Sequence, residues 1–434
     1  MSVERPLGPW HVASVAIGAM VGVGIFFTPA TLARAVPSAT WVLGLWVLGG
    51  VASLVAALVF ADLGARWPRA GGLYVFLREG FGRRAGDGLS FLYGWLQLIV
   101  VQPGAMAVIA VVLVDHVVYL SGPVPNAART AGACFAIATF TGANLLGLRT
   151  GGRIQIGVAA MKLGALALLV AIGVGWGSAA RVLAPATIEV TTRGGWSSWM
   201  LFGLIPILFT LGGSYHATFV AGAVRDPERS IPRGIIAGIA IVLVFYLCVN
   251  VAYLALLGQD GLATSKSPAA DAAAVALGPG AGKIVAVAIV GSAAGILNTA
   301  SLGFPFVVYA MARDGVFFSR AGRLDERTGR PAFAVALQGA LACAAVIAGA
   351  SRIDVLLTGI AFADAVFLAL IAVVHLRSEA RAKYAPAFVG WILLVVEIGV
   401  AVGCLVRAPL ESAYGAAMLV IGAAAWTVWR RSTV

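Results

Sequence analysis

Charge is scarce in this 434-residue chain: Asp, Glu, Lys and Arg make up 11% of it, against 61% hydrophobic residues and a mean hydropathy of +0.97. So few polar side chains do not cover the surface of a soluble protein of this length, which excludes that class. Cysteine is also scarce: Cys134, Cys248, Cys343 and Cys404 all lie in apolar stretches without CxxC spacing, which points to packing rather than to a disulfide or a metal. The four histidines, His11, His116, His216 and His375, are scattered, and only His216 falls near an expected cavity. With no HExxH motif, no nucleophile and base at catalytic spacing and no phosphate-binding P-loop, an enzyme is not expected, and neither is a metal or other cofactor. The period-two alternation of an outer-membrane barrel is missing as well.

What the chain has is long apolar runs. They lie near residues 10–35, 40–65, 88–119, 128–147, 154–176, 198–222, 233–257, 283–311, 332–350, 353–375, 387–406 and 411–429. Each is long enough to cross a hydrocarbon core of ~30 Å as a helix, which predicts an all-α membrane protein of about twelve spans. The first run is too long for a signal-peptide core and lacks a small-residue cleavage site, so it is expected to be retained. The net charge of +12 sorts by connection instead of forming one nucleic-acid-binding patch. Arg66, Arg69, Arg78, Arg83 and Arg84 share one connection; Arg149 and Arg153, then Arg225, Arg229 and Arg233, then Arg313 to Arg330 occupy alternate ones; Arg377, Arg381, Lys383, Arg430 and Arg431 complete the same side. By the positive-inside rule that side and both termini are cytoplasmic, as in a bacterial-type inner membrane.

In the first run, Gly18, Gly22-Val23-Gly24-Ile25-Phe26 and Pro29 remove side chains and a backbone donor near mid-bilayer, which predicts an unwound segment. Unpaired backbone groups survive at that depth only inside protein or beside a polar cavity. The sixth run repeats the device roughly 190 residues later, with Pro206 and then Phe209-Thr210-Leu211-Gly212-Gly213-Ser214-Tyr215. A single Gly-rich span is readily explained by close helix packing. Two at matched positions point to an inverted-repeat transporter, whose half-helix N-termini present free N–H groups to an anion such as a carboxylate.

Five strings then occur in order: GVGIFFTP at Gly22 to Pro29, FLYGW at Phe91 to Trp95 followed by Pro103, GLRTGGRIQ at Gly147 to Gln155 followed by Lys162, FVAGAVRDPERSIPR at Phe219 to Arg233, and YAMARDG at Tyr309 to Gly315. Through them nearly the whole chain resembles the amino acid, polyamine and organocation transporter superfamily, in particular its L-type amino acid transporter branch and the prokaryotic relatives. The resemblance implies a first repeat at 1–176, an inverted second repeat at 177–377, two further helices at 378–434, and discontinuous helices 1 and 6. It implies a substrate held between helices one, three, six and eight. Amides around Val23, Gly24 and Ile25, with Gly22 in the same substrate site, would take its carboxylate; carbonyls near Phe209 and Leu211, with Gly212, Ser214 and Tyr215 beside them, would take its amino group. The chain departs from the family in three places. Ser214 and Tyr215 stand where an aromatic, often Trp, follows the paired glycines, which implies an altered outer lid. Gly222 and Ala223 replace an acidic residue, and Phe304-Pro305-Phe306 occupies a stretch that usually carries an arginine.

Lys162, one of four lysines, lies in mid-span, where a lone charge costs about 2.5–3.5 kcal/mol. By resemblance its ammonium points at helices one and eight, where sodium-coupled relatives of the wider fold hold a cation, so that sodium is not needed. Two roles stay open for it: bracing the broken helix while charged, or loading and releasing a proton. Asp364, in the tenth run near the symmetry-related position, is expected to accept a cationic group, carry a proton or bond a neighbouring helix. Glu397 lies outside the expected core and is assigned to pairing or oligomer packing, and Asp62 to structure. Tyr93, Gln97 and Gln102 place polar groups on helix three. Asp226, Arg229, Arg313 and Asp314, with Glu228 and Arg233, form either a salt-bridge gate or solvated loop ends. The expectation is a secondary active transporter of amino acids, sodium-independent, working by alternating access through exchange or proton coupling. The alternatives are a carrier of polyamines or other organic amines, and a non-transporting sensor.

Overall fold

The structure, a computed structural model, describes residues 5–187, 195–278, 280–348, 353–378 and 383–432. Arg381 and the side chains of Arg83 and Arg431, counted above among the basic residues, lie outside that description. In chain order the helices are α1 (Pro9–Met20), α2 (Gly24–Ala35), α3 (Ala39–Arg66), α4 (Leu73–Leu96), α5 (Gln102–Ser121), α6 (Asn126–Leu145), α7 (Leu148–Trp176), α8 (Ala179–Leu183) and α9 (Trp196–Leu211). They continue with α10 (His216–Phe219), α11 (Pro227–Thr264), α12 (Pro268–Leu277), α13 (Ala281–Gly303), α14 (Pro305–Arg313), α15 (Ala332–Ile347), α16 (Ile353–Arg377), α17 (Ala387–Arg407) and α18 (Pro409–Ser432). Among the described residues no strand forms; one isolated bridge ties Leu7 to Val224.

Among the described residues, seven helices are long and apolar enough to cross a bilayer singly, and α1 with α2 make an eighth across a 47° bend. Ala332–Ile347 is a shorter apolar helix. Helices suit this setting because each satisfies its own backbone where no water is available. The third apolar run departs from the simple helix expected of it. Its helix begins early at Leu73, turns at Gly82 with φ +72°, and passes through a π-helical stretch at Gln97–Val101 before α5. The eighth run is divided as well: Pro305 has no N–H to continue the ladder, so α13 ends at Gly303 and α14 starts at Pro305.

Two long helices hold the broken one. From α11, the Tyr246 hydroxyl donates to the Met20 carbonyl at 2.9 Å, and Gln259 Nε2 donates to Val36 O at 2.6 Å and Ala33 O at 3.3 Å, so one strut caps the C-terminal ends of both α1 and α2. From α7, Gln155 Nε2 donates to Ser14 O at 2.9 Å, and its Oε1 accepts from Asn298 Nδ2 at 2.8 Å and Thr299 Oγ1 at 3.1 Å on α13. Asn144 Nδ2 adds a 2.9 Å bond to Asn298 Oδ1. Gln155→Leu removes three buried hydrogen bonds, each worth about 0.5–1.5 kcal/mol. Its melting temperature in detergent is therefore expected to fall by several degrees, and an unchanged thermal-unfolding curve would show that this network carries no stability.

Candidate substrate site at the two helix breaks

Each half-helix ends with backbone groups that no turn of its own satisfies. At the end of α1 the problem is carbonyls, and the bundle supplies donors. Lys162 Nζ reaches Val21 O at 2.6 Å and Gly18 O at 3.0 Å; Ser292 Oγ reaches Val21 O at 3.3 Å. Lys162 is 3% exposed, so its charge lies against the negative end of a helix dipole rather than in water. At the start of α2 the problem is donors. The amides of Val23, Gly24 and Ile25 meet no protein acceptor among the described residues, and the first α2 amide with a local partner is Phe26, which donates to Val23 O at 3.0 Å. Gly22, Val23 and Gly24 are partly exposed although Val21, Ile25 and Phe26 on either side are buried.

The second break is complementary. α9 ends at Leu211, Gly212 turns extended (φ −67°, ψ 165°), and Gly213 takes φ +102°, which glycine adopts without strain. Among the described residues the carbonyls of Thr210, Leu211 and Gly212 accept no backbone N–H, whereas Gly213 O accepts from His216 N at 3.0 Å, and Phe209 O, expected to take an amino group, already accepts from Gly212 N at 3.2 Å. The two breaks touch. Thr28 Oγ1 and Thr210 Oγ1 share a 2.7 Å hydrogen bond, a Cβ on Gly24 would lie 2.7 Å from Thr210 Oγ1, and one on Gly213 would lie 3.2 Å from Ala19 Cβ. Free amides of α2 therefore lie beside free carbonyls of α9, a positive helix end next to a negative one. That pair suits a ligand carrying an anionic and a cationic group a few bonds apart.

Around this point Leu211, Ser214 and Tyr215 are buried, Gly212 is exposed and Phe209 is 58% exposed. Tyr215 packs edge-on against Phe60 and against His216, and Phe219 against Phe304. Asp364 Oδ1 accepts from Gln97 Nε2 at 3.0 Å, and Gln97 Oε1 accepts from Gln102 Nε2 at 3.2 Å. The polar residues of the third run thus meet the acid of the tenth, while Lys162 is occupied at α1.

Near the basic loops, Asp314 is paired, and its partner is not Arg229 or Arg313. Arg78 Nη1 lies 2.5 Å from Asp314 Oδ1, Arg78 Nε 2.8 Å from Asp87 Oδ1, and the Tyr74 hydroxyl donates to Asp314 Oδ2 at 3.1 Å. Burial, and after it the Asp314 charge, push the Tyr74 hydroxyl above its ordinary range, so it remains a donor. Asp226 instead opens α11 with φ +45°, its carbonyl accepting from Ser230 N at 2.8 Å and Arg229 N at 3.0 Å. Asp226, Arg229 and Arg313 are exposed, and Glu228 lies 3.8 Å from Lys383. Asp62 is buried and accepts from the amides of Lys383 at 2.7 Å and Tyr384 at 2.8 Å.

Sequence reasoning missed Gln155, Tyr246, Ser292, Tyr74 and Arg78. One signal was available: Gln155 and Lys162 are seven residues apart, two helical turns, and so share the face of α7 that meets α1. No sequence signal marked the other four. Long apolar helices with the donor end of one broken helix against the acceptor end of another define an integral, multi-pass membrane protein of the solute-carrier class. The family model described as amino acid permease matches residues 7–424, and the chain belongs to that family, within the amino acid, polyamine and organocation superfamily. It is 26% identical to the serine/threonine exchanger SteT of Bacillus subtilis (strain 168), over 89% of this chain and 87% of that protein. It is also 26% identical to the b(0,+)-type amino acid transporter 1 of Rattus norvegicus (94% and 84% covered) and 25% identical to the cystine/glutamate transporter of Homo sapiens (89% and 76%). These relatives are transporters, not enzymes.

Proposed function

We propose that the chain is a secondary active transporter of amino acids that binds the zwitterionic backbone of its substrate between the two breaks. The observation that carries this is the placement of free amides at Val23, Gly24 and Ile25 beside free carbonyls at Thr210 and Leu211. A carboxylate at the first and an ammonium at the second satisfy both helix ends. Phe209, Gly212, Ser214 and Tyr215 line or cover that position. The fold is assigned as twelve spans, with repeats at 1–176 and 177–377 in inverted orientation, two further helices at 378–434, and both termini on the cytoplasmic side of a bacterial-type inner membrane.

Alternating access follows from the two breaks, since α1 against α2 and α9 against α10 are the hinges that a rigid bundle lacks. Asp314, held by Arg78 and Tyr74, closes the basic side, while Asp226, Arg229 and Arg313 meet solvent there. Lys162 supports sodium independence because its ammonium already satisfies the carbonyls at the end of α1. Energy then comes from exchange or from protons, with Lys162 and Asp364 as the coupling groups.

The test is uptake of a labelled amino acid panel into proteoliposomes, with and without sodium, a pH gradient or internal substrate. Saturable uptake unaffected by sodium is expected, and folded protein that moves no amino acid or amine would leave the sensor reading in its place. The gate has its own test. A partly exposed ion pair is worth about 0.5–1 kcal/mol, so Asp314→Asn is expected to raise thiol labelling of an Ala310→Cys probe, at a buried position one turn before Asp314, about two- to fivefold. The measurement uses a background lacking the four native cysteines, and an unchanged labelling rate would remove Asp314 from the gate.

A further inference from the structure

Arg330 belongs by sequence to the basic connection that begins at Arg313, yet the fold buries it completely. Among the described residues no Asp or Glu forms an ion pair with it, and its Nε has no hydrogen-bond partner. Burial lowers its pKa to about 9, so the guanidinium is still a cation at neutral pH. A cation buried without a counter-charge is costly, and the reason for keeping one must lie in what it bonds.

Those bonds lie at a third helix break. Pro305 has no N–H to give to the Ser301 carbonyl four residues before it, so α13 stops with its last carbonyls in need of donors. Arg330 Nη2 donates to Ser301 O at 2.6 Å and Nη1 to Leu302 O at 2.8 Å, while Gln338 Nε2 on α15 donates to Ala300 O at 3.4 Å. The guanidinium carbon sits over the Phe306 ring, 5.3 Å from its centre. One planar group thus bonds the last turn of α13 and covers the first turn of α14, bringing a cation to Phe304-Pro305-Phe306, which has none of its own. Lys162 does the same for the carbonyls at the end of α1.

The end of α13 is packed in turn on α10, the short helix after the second break. Phe304 meets Phe219 edge-on at 6.4 Å; Phe219 meets Tyr215 edge-on at 5.8 Å and stacks on His216 at 5.0 Å. A Cβ on Gly303 would lie 3.5 Å from Phe219 Cδ2 and 3.7 Å from His216 O, so the two helices approach closely there. The Phe219 carbonyl also accepts from Gly71 N at 3.1 Å. Four residues of helix do not hold a position by themselves, and α10 takes its place from such neighbours.

We propose that Arg330 is a positioning residue of the carrier: by fixing the end of α13 it sets α10, and through α10 the Tyr215 ring and the carbonyls of the second break, in the geometry that binds substrate. The proposal deepens the transporter reading and rests on it for where the substrate lies. Without the guanidinium a smaller fraction of the protein holds that geometry. The apparent affinity falls by the same fraction, while protein that has bound its substrate turns over nearly as before.

The experiment measures initial rates of uptake in proteoliposomes of full-length protein, using whichever amino acid of the panel the parent carries best. Arg330→Gln is expected to raise the half-saturating concentration about tenfold, with the maximal rate per folded protein within about threefold of the parent. Arg330→Lys keeps a cation that, like Lys162, bonds two carbonyls at once, and is expected to return the half-saturating concentration to within about threefold of the parent. Phe219→Leu is expected to raise it as well, and the double variant Arg330→Gln, Phe219→Leu to be little worse than the poorer single one, because both cut the same route. Should Arg330→Gln not fold, Phe304→Leu cuts the route one contact further on and carries the same expectation. An unchanged half-saturating concentration, even beside a lower melting temperature or maximal rate, makes Arg330 a structural cap and overturns the proposal; so do effects of Arg330→Gln and Phe219→Leu that simply multiply. In either case a parent that transports leaves the transporter reading standing. If the parent shows no flux, the concentration of amino acid that half-stabilises it against heat in detergent is compared across the same variants, and a parent that no amino acid stabilises refutes both the reading and the role of Arg330.

Discussion

Lys162→Met is expected to reduce amino acid uptake to below about a thirtieth of the parent rate in proteoliposomes. The substitution keeps most of the apolar stem and removes the ammonium that bonds Gly18 O at 3.0 Å and Val21 O at 2.6 Å. Val21 keeps Ser292 as a donor, whereas Gly18 has no other side-chain donor among the described residues. Losing two charge-assisted bonds to buried carbonyls costs about 2–4 kcal/mol at the hinge, and each 1.4 kcal/mol is tenfold in an equilibrium. The broken helix then samples other geometries, and the amides of Val23, Gly24 and Ile25 no longer stand where a carboxylate needs them. Uptake above about a third of the parent rate, from protein that remains monodisperse, would sink both proposed roles of Lys162, as brace and as coupling group.

Gly24→Ala carries the second large effect, an expected loss of about tenfold or more in uptake, because overpacking a tight contact costs roughly 1–3 kcal/mol. Its new methyl would lie 2.7 Å from Thr210 Oγ1 and 2.9 Å from Thr210 Cγ2, and Thr210 is pinned by 2.7 Å bonds to Thr28 Oγ1 and Pro206 O. The two breaks must therefore separate where the substrate is proposed to bind. Adding Thr210→Ala removes both clashing atoms and is expected to restore part of the activity, a coupling that a double-mutant cycle measures. Parent-like uptake by Gly24→Ala alone would place the substrate elsewhere.

The breaks themselves were legible as gaps in otherwise good helices, at Gly22-Val23-Gly24 and at Gly212-Gly213, because glycine removes the side chain that a packed helix needs. Lys162 was legible as a charge in apolar surroundings. The partners of Asp314 were not legible: charge runs at Asp226 to Arg233 and Arg313-Asp314 are visible in sequence, whereas Asp314 pairs with Tyr74 and Arg78 on the early turns of α4. Nothing in hydrophobic periodicity signals where that short extension lies.

The sequence by itself determined the setting and the class of element: apolar runs long enough to cross a bilayer, helices because backbone groups must be satisfied without water, and breaks where glycine and proline interrupt them. Only the tertiary structure decided which ends meet. Thr28 and Thr210 are 182 residues apart in sequence yet share a hydrogen bond, and Lys162 reaches carbonyls 144 and 141 residues before it. Helix ends are completed by whichever donors and acceptors the packing of separate helices brings within about 3 Å, and that choice is made by long-range packing, which local sequence does not encode.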